Sequence, residues 1–324
     1  MKTFSTLTIC ICIISGVSAQ YNSKNLTIRE SMVTQFTYKN LRLFPIYANE
    51  TFMEAHKDVG KYISLQKALE GKKVAITETV NNTHGEESGS ASVNTLFIEN
   101  TSSDSIFLMA GEIVKGGQQD RVLAQDMILP PKSGKKDISV FCVEHGRWSY
   151  TNESEKAGKT FYGYSKITSN NIRKTAIVDK SQQKVWDKVA DVTAKNSATS
   201  ETGTYTALDT SKKYNKELKG YTDYFKAMMK TQSNVIGVIA CTGDKVIGCD
   251  MFATPVMFNE HLDGLLNSYT TEAMTNGTAA KADYKKAEIY LDNLLNDETK
   301  QEEKVKANGT ILKSSGKKLH MATF

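Results

Sequence analysis

A change in the spacing of the apolar residues near Trp148 constrains this chain more than any other feature. Before that point they come in short alternating runs; after it they recur at steps of three and four. Val74 to Val80 puts Val74, Ile76 and Val80 on one face, as a half-buried strand requires. Val93–Glu99, Ile106–Met109 and Ile138–Val143 read the same way. Asn100–Ser105 forms the turn between the first two, and Leu129-Pro130-Pro131 precedes the third. Tyr38–Tyr47 is predicted as a strand interrupted at Pro45, which suits a sheet edge because proline cannot donate to the ladder. Ile63–Leu69 is predicted as a short helix ending at Gly71, and Asn81–Ser92 as a polar loop. Short strands with regular turns over residues 36–148 imply a sandwich or small barrel.

Beyond Trp148 a polar passage runs to about Asn170. Val185, Trp186, Val189 and Ala190 then fit one helix face, and Tyr214, Leu218, Tyr221, Phe225 and Met228 another. Phe258, Leu262, Leu265 and Tyr269 mark a third helix, and Tyr284, Ala287, Leu291 and Leu294 a fourth. Between them, Val235–Ala240, a Thr242-Gly243-Asp244 turn and Val246–Cys249 give a hairpin signal. Thr310–Leu312 and Leu319–Phe324 read as a last strand pair, free to join the first sheet. The expected class is α+β: a β-rich N-terminal half, then several helices and a few further strands. One domain is expected over 36–324, with a loose leader over 20–35.

With 40% hydrophobic and 9% aromatic residues, disorder is excluded as the main state. Forty-one Lys and Arg are interspersed with 36 Asp and Glu, so the formal charge of +5 forms no nucleic-acid footprint. The first nineteen residues carry Lys2, an apolar run from Leu7 to Ile14, and small residues at Val17-Ser18-Ala19. That run is too short to span a bilayer and matches a cleaved secretory signal. The expected product begins near Gln20, is periplasmic or secreted, and has no stable membrane anchor. It keeps Cys142, Cys241 and Cys249. The last two flank the hairpin turn without lying opposite each other in a simple register, so whether they pair depends on geometry. Seven Asn-x-Ser/Thr sites matter only in a eukaryotic secretory pathway.

Several chemistries lack their motifs. No Gly-x-Gly-x-x-Gly follows a strand, and Gly111-x4-Gly116 lacks the Lys-Ser/Thr of a phosphate loop. His56, His84, His145, His261 and His320 are scattered without metal-ligand spacing, so no metal site is expected. The densest polar stretch runs from Met109 to Trp148. It packs Glu112, Gly116, Gly117, Gln118, Gln119, Asp120 and Arg121 into one turn-like unit, where Arg121 either grips an anion or pairs with Asp120 or Glu112. Farther on, Glu144 and Arg147 beside Trp148 form either a structural bridge or a ligand clamp. Cys142 follows Ile138 and Val140 on a core face and reads as a small buried hydrophobe. Asp250 ends an apolar strand.

Together these segments resemble the ARG and rhodanese-phosphatase-superfamily-associated protein domain. The likeness begins at YKNLRLFPI (38–46) and YISLQKALEGKKVAITE (62–78) and peaks at GEIVKGGQQDR (111–121) and VFCVEHGRW (140–148). It resumes at GDKVIGCDMF (243–252), the helix from Phe258 to Ala273, and KLHMATF (318–324). Gln118 departs from the family, which often carries Lys there, so no role at that position can rest on a cation. The polar positions matching the family pattern are Glu112, Gln119, Asp120, Arg121, Cys142, Glu144, Arg147, Asp250 and His320. The family's activity is inferred from gene neighbourhoods, and these imply NAD-derived or ADP-ribose metabolism.

Two functional expectations follow. The first is an exported domain that binds or processes a phosphate-bearing small molecule, such as an ADP-ribose or NAD derivative. Gln119, Asp120, Arg121, Arg147 and Trp148 would form its ligand site. The alternative is a non-catalytic secreted or envelope module that binds protein or glycan. Were the chain a hydrolase, Glu112, Glu144 and Asp250 would be the acid and base candidates, and two of them would have to face one cleft.

Overall fold

The computed structural model describes residues 21–79, 94–156 and 160–324. The expected signal segment, Val80 and the polar loop after it lie outside that range. The first strands and helix are β1 (Leu26–Thr27), β2 (Thr37–Tyr38), β3 (Leu41–Ala48) and α1 (Glu50–Ala55). A run of short strands follows: β4 (Ile63–Ser64), β5 (Val74–Glu78), β6 (Thr95–Asn100), β7 (Ile106–Leu108), β8 (Glu112–Gly116), β9 (Arg121–Leu123), β10 (Met127–Leu129), β11 (Gly134–Cys142) and β12 (Phe161–Ile167). Short helices α2 (Leu65–Glu70) and α3 (Asn152–Lys156) interrupt it. The second half comprises α4 (Asn170–Lys174), α5 (Gln182–Lys195), α6 (Lys212–Met229), the hairpin β13 (Val235–Thr242) and β14 (Lys245–Phe252), and α7 (Pro255–Asn276). It closes with α8 (Tyr284–Leu295), α9 (Glu298–Asn308), β15 (Gly309–Ser314) and β16 (Lys317–Thr323).

Among the described residues, β12-β8-β9-β11-β6-β5 form one six-stranded sheet. Thr160, just before β12, forms an isolated antiparallel bridge with Thr77 of β5 at the other end, so the sheet curls on itself as a small barrel. Strand alternation fills the inside with Val74, Ile76, Leu96, Ile98, Val114, Leu123, Ile138, Val140 and Phe161. The intervening residues Ile113, Val122, Phe141 and Val143 face outward, against Val185, Val189 and Val192 of α5. The three-stranded sheet β10-β7-β4 adds Ile106, Leu108 and Leu129 to the inner cluster. The mixed α+β class and the β-rich first half agree with the apolar spacing.

The C-terminal strands build a separate sheet, β1-β3-β13-β14-β16-β15, with β2 paired to β3. They do not join the barrel. One face packs Leu43, Val238, Ala240 and Phe252 against α6 and α7 through Phe225, Phe258, Leu262 and Leu265. The other packs Phe44, Ile239, Met251 and Met321 against Phe52 of α1 and against Ala287, Leu291 and Val305 of α8 and α9.

Three expectations need correction. Pro45 lies within a continuous β3 that is interior to its sheet, opposite Val238. It is tolerated because the outer flank of β3 is paired only at its ends, Leu41–Arg42 with β2 and Tyr47–Ala48 with β1. The 20–35 leader is not loose over its described residues: Tyr21, Leu26 and Ile28 are core residues, and Gln301 donates to the Tyr21 carbonyl oxygen at 3.1 Å. The unit 111–121 is a strand pair, β8 and β9, rather than a single turn. Two smaller points also follow. Cys241 and Cys249 are buried and free, so the pairing left open by the sequence is not made. Asn100, in one of the seven sequons, is buried, and its amide donates to the Asp104 carbonyl oxygen at 2.7 Å.

Gly237 fixes how closely β13 approaches β14. A Cβ there would collide with the Asp250 carbonyl oxygen and approach Met251 Cα to 2.9 Å. Gly237→Ala should therefore lower unfolding free energy by about 1–3 kcal/mol, the usual cost of overpacking. Urea denaturation checks this; an unchanged midpoint would mean the two strands separate freely.

Candidate functional site

The expected site residues fall into two groups. The first gathers at one end of the barrel, for a reason visible in the strand period. Glu78 lies two residues beyond Ile76 on β5, Arg121 two before Leu123 on β9, and Cys142 two beyond Val140 on β11. Since Ile76, Leu123 and Val140 point inward, all three share the barrel's inner face at its mouth. The connection between β8 and β9 covers this end. Gly117 sits there at φ +53°, where a Cβ would come within 2.5 Å of both Glu78 Oε1 and the Phe161 ring. Only glycine allows the turn to press this close.

Arg121 is completely buried. Its Nη1 donates to the backbone oxygen and Oε1 of Gln119, at 3.1 and 3.2 Å. Its Nη2 lies 3.7 Å from Glu78 Oε1, which accepts from the Gln118 amide at 3.0 Å. Nε and Nη2 of Arg121, Oε2 of Glu78 and Oε1 of Gln118 make no hydrogen bond. Trp148 stands with its ring centroid 5.7 Å from the guanidinium carbon and is 49% exposed. Burial pushes the Cys142 thiol up to about 11 despite the Arg121 charge, so it is an unreactive wall.

Asp120, Glu144 and Arg147 form the rim. Arg147 donates Nε to Glu144 Oε2 at 2.9 Å and Nη1 to the Gly117 and Ser149 carbonyl oxygens at 2.9 and 2.7 Å. Glu144 also accepts from the Asp120 amide at 3.3 Å. The Asp120 carboxylate takes the Gly116 amide at 3.1 Å and the Thr206 hydroxyl at 3.0 Å. Burial and the Glu144 charge both raise its pKa. Glu144 with Arg147 is thus a structural bridge holding the turn. Gln119, Asp120, Arg121, Glu144, Arg147 and Trp148 are brought together, and Glu78 joins them without having been singled out.

Asp250 belongs to the second group, which lies between the barrel and the large sheet. On the strand pair β14–β16, Asp250 faces Ala322 and Phe252 faces His320, so Asp250 and His320 are diagonal neighbours on one face. Arg173 of α4 grips Asp250 with both terminal nitrogens, at 3.0 and 2.8 Å. Tyr269 Oη donates to Asp250 Oδ2. His320 touches Asp250 Oδ1 through Nε2 at 3.0 Å and Asp126 Oδ2 through Nδ1 at 2.8 Å. With a carboxylate at each nitrogen the ring is an imidazolium donating twice. Two carboxylates and two cations then balance inside the protein. Burial alone would raise the Asp250 carboxyl, but the Arg173 charge and the hydrogen bonds from His320 and Arg173 together outweigh it and hold the group below the usual range. Burial alone would lower His320, yet Asp126 and then Asp250 push it up to about 9.

Glu112, at the end of β8 away from the turn, approaches this second group. Its Oε2 accepts the Met109 amide at 2.8 Å, and burial lifts its pKa to about 8. Gly111 beside it adopts φ +98°, and a Cβ there would run into the Arg173 side chain. Asp250 and Glu112 are both buried at the second group, where both Asp250 oxygens are engaged, and Glu144 is bridged at the barrel mouth. These three carboxylates therefore do not converge on one cleft. The sequence reading passed over Asp126, Arg173 and Glu78. The signal for Arg173 was a cation between Ile172 and Ala176 on an apolar helix face; the other two gave none. Among the described residues no cluster of His, Cys, Asp and Glu is built to hold a metal ion, and no helix is long and apolar enough to cross a membrane.

Residues 30–322 match the family model of the ARG and Rhodanese-Phosphatase-superfamily-associated Protein domain, and the chain belongs to that family. No curated protein and no solved structure matches it.

The buried charges set a pH profile for stability. His320, raised from 6.5 to about 9, stabilises fully below pH 6.5, and that contribution is lost as pH rises through about 9. Glu112, raised from 4.5 to about 8, acts in the same sense between those values. Asp250, held below its ordinary 3.8, contributes above that value and is lost on acidification. Denaturation midpoints should therefore peak in mildly acidic buffer and fall steadily to pH 9, with Glu112→Gln flattening the slope between pH 5 and 8. A midpoint that rises from pH 6 to 9 contradicts the assignment.

Proposed function

We propose that this chain binds a phosphate-bearing small molecule, such as an ADP-ribose or NAD derivative, at the mouth of the small barrel. The observation that carries the reading is Arg121: a buried guanidinium with two unsatisfied nitrogens under an exposed tryptophan. A buried unpaired donor is costly, and a ligand oxygen there would recover that cost. The set is also mixed. Arg121 offers donors for a phosphate or carbonyl oxygen, while Glu78 Oε2 and Gln118 Oε1 offer acceptors for ribose hydroxyls. The open face of Trp148 suits a stacked base. Barrel mouths are common small-molecule sites. Gln119, Asp120 and Arg147 hold the turn over this end.

We further propose that the protein acts after export, periplasmic or secreted, from a product starting near Gln20. Tyr21, the second residue of that product, is fully buried and donates its hydroxyl to the Lys318 carbonyl oxygen at 3.3 Å. Mass spectrometry of protein recovered from outside the cytoplasm should find an N-terminus near residue 20; an intact Met1 in that fraction contradicts cleavage.

Calorimetry with ADP-ribose and with NAD tests the ligand. One of them should bind, and Trp148→Ala should weaken it about tenfold, the value of one base-stacking platform. Because Trp148 is exposed, that variant keeps its fold. No heat from either ligand at millimolar concentration overturns the proposal. Heat from a soluble oligosaccharide alone would favour the competing reading, a non-catalytic module for protein or glycan, for which exposed Trp148 and Tyr162 offer flat faces.

A further inference from the structure

A cleft lies between β12, α6 and α7, with a volume of about 430 Å³. That is the size of a small-molecule pocket. Its shape comes from Gly264, where a Cβ would run into the Ile167 side chain, so α7 and β12 pack closely beneath it. Lys166 of β12 and Lys219 and Lys226 of α6 line it, with Asp263 as the one acidic residue of the lining. Lys226 is held by Asp263 at 2.7 Å, and Lys166 lies 3.4 Å from Asp209 and 3.2 Å from Asn215 Oδ1. Lys219 pairs only with Asp223, four residues along the same helix, and both side chains are largely exposed. Such a pair contributes little and exchanges readily for a better anion.

The floor is different in character. Asn267 of α7 is buried and donates Nδ2 to the Ile167 carbonyl oxygen at 2.8 Å. Its Oδ1 has no hydrogen-bond partner. A carboxamide oxygen only accepts, so the group missing there is a donor. Three lysines at the rim and an unmatched acceptor below call for a molecule that is anionic at one end and hydroxylated at the other.

We infer that this cleft binds a compact hydroxylated phosphomonoester, a sugar phosphate, independently of the barrel mouth. Its phosphate would lie among Lys166, Lys219 and Lys226, and a hydroxyl would donate to Asn267 Oδ1. Calorimetry on the full chain with ribose 5-phosphate, ribose and inorganic phosphate tests it. Ribose 5-phosphate should bind about tenfold or more tightly than either fragment, since only it engages both ends. Lys219→Glu and Lys166→Glu, at solvent-accessible positions, should each weaken it by about tenfold, while Trp148→Ala leaves it unchanged. Absence of binding at millimolar concentration overturns the inference, as does affinity equal to that of inorganic phosphate, indifference to both lysine variants, or loss in Trp148→Ala. The last variant also separates failure here from failure at the barrel mouth.

Discussion

The ion pair between Arg173 and Asp250 joins the two halves of this fold. Arg173 sits on the first helix after the barrel, and its Nε also donates to the Ala110 carbonyl oxygen at 3.3 Å, in the loop leading into β8. Asp250 is on the central hairpin of the other sheet. One guanidinium therefore holds a barrel loop, a helix and a sheet in register. Burying both charges carries a heavy desolvation penalty, which the bidentate geometry and the added bonds from Tyr269 and His320 offset. Removing one partner would leave the other unpaired in the interior, a loss of about 3–5 kcal/mol, whereas an apolar pair of the same volume could be nearly neutral. The network thus fixes geometry more than it adds net stability.

The polar mouth of the barrel follows from its strand period. Six short strands closed by one bridge enclose an apolar plug from Val74 to Phe161, and the period of two then carries Glu78, Arg121 and Cys142 just past it. Outward residues are covered by α5, so the barrel is supported from outside, and polar rather than apolar side chains occupy its end. Arg147 and Glu144 pin the β8–β9 turn over that end. At the rim Arg147 is matched by both Glu144 and Asp120, whereas the Arg121 Nε and Nη2 donors have no hydrogen-bond partner among the described residues.

Much of this was legible in the sequence. The strand period before Trp148, the hairpin at Gly243 and the helix faces reappear, save that Ala190 is exposed and Val192 is buried on α5, because each depends on burial along one element. Pro45 misled because edge character is a property of the flank at one residue, not of the whole strand. The strand pair around Gly116–Arg121 was hidden by its glycines and charges, which break the apolar alternation that marks a strand. Tyr21 and Leu26 gave no sign of their burial, since their partners, α1, α8 and α9, are far away in the chain. Asp250 was noticed, but its partner Arg173 lies 77 residues away, a pairing that no local pattern encodes.

The two ends of β8 show how one short strand supports opposite electrostatics. Glu112 opens it inside a closed interior, where burial raises its pKa to about 8 and leaves it neutral near pH 7. Gly116 closes it, followed by the glycine turn that brings Glu78 within reach of Arg121. At the first end every charge is balanced, down to an imidazolium between two carboxylates. At the second, donors and acceptors lie side by side but only partly satisfy one another. Two glycines with positive φ, Gly111 and Gly117, let side chains from outside the strand press against its ends. The Gly-Glu and Gly-Gly pairs that stood out in the sequence are therefore steric permissions. They allow Arg173 to close one end and Glu78 to meet Arg121 at the other, which leaves the unsatisfied hydrogen-bonding capacity of this barrel at its mouth.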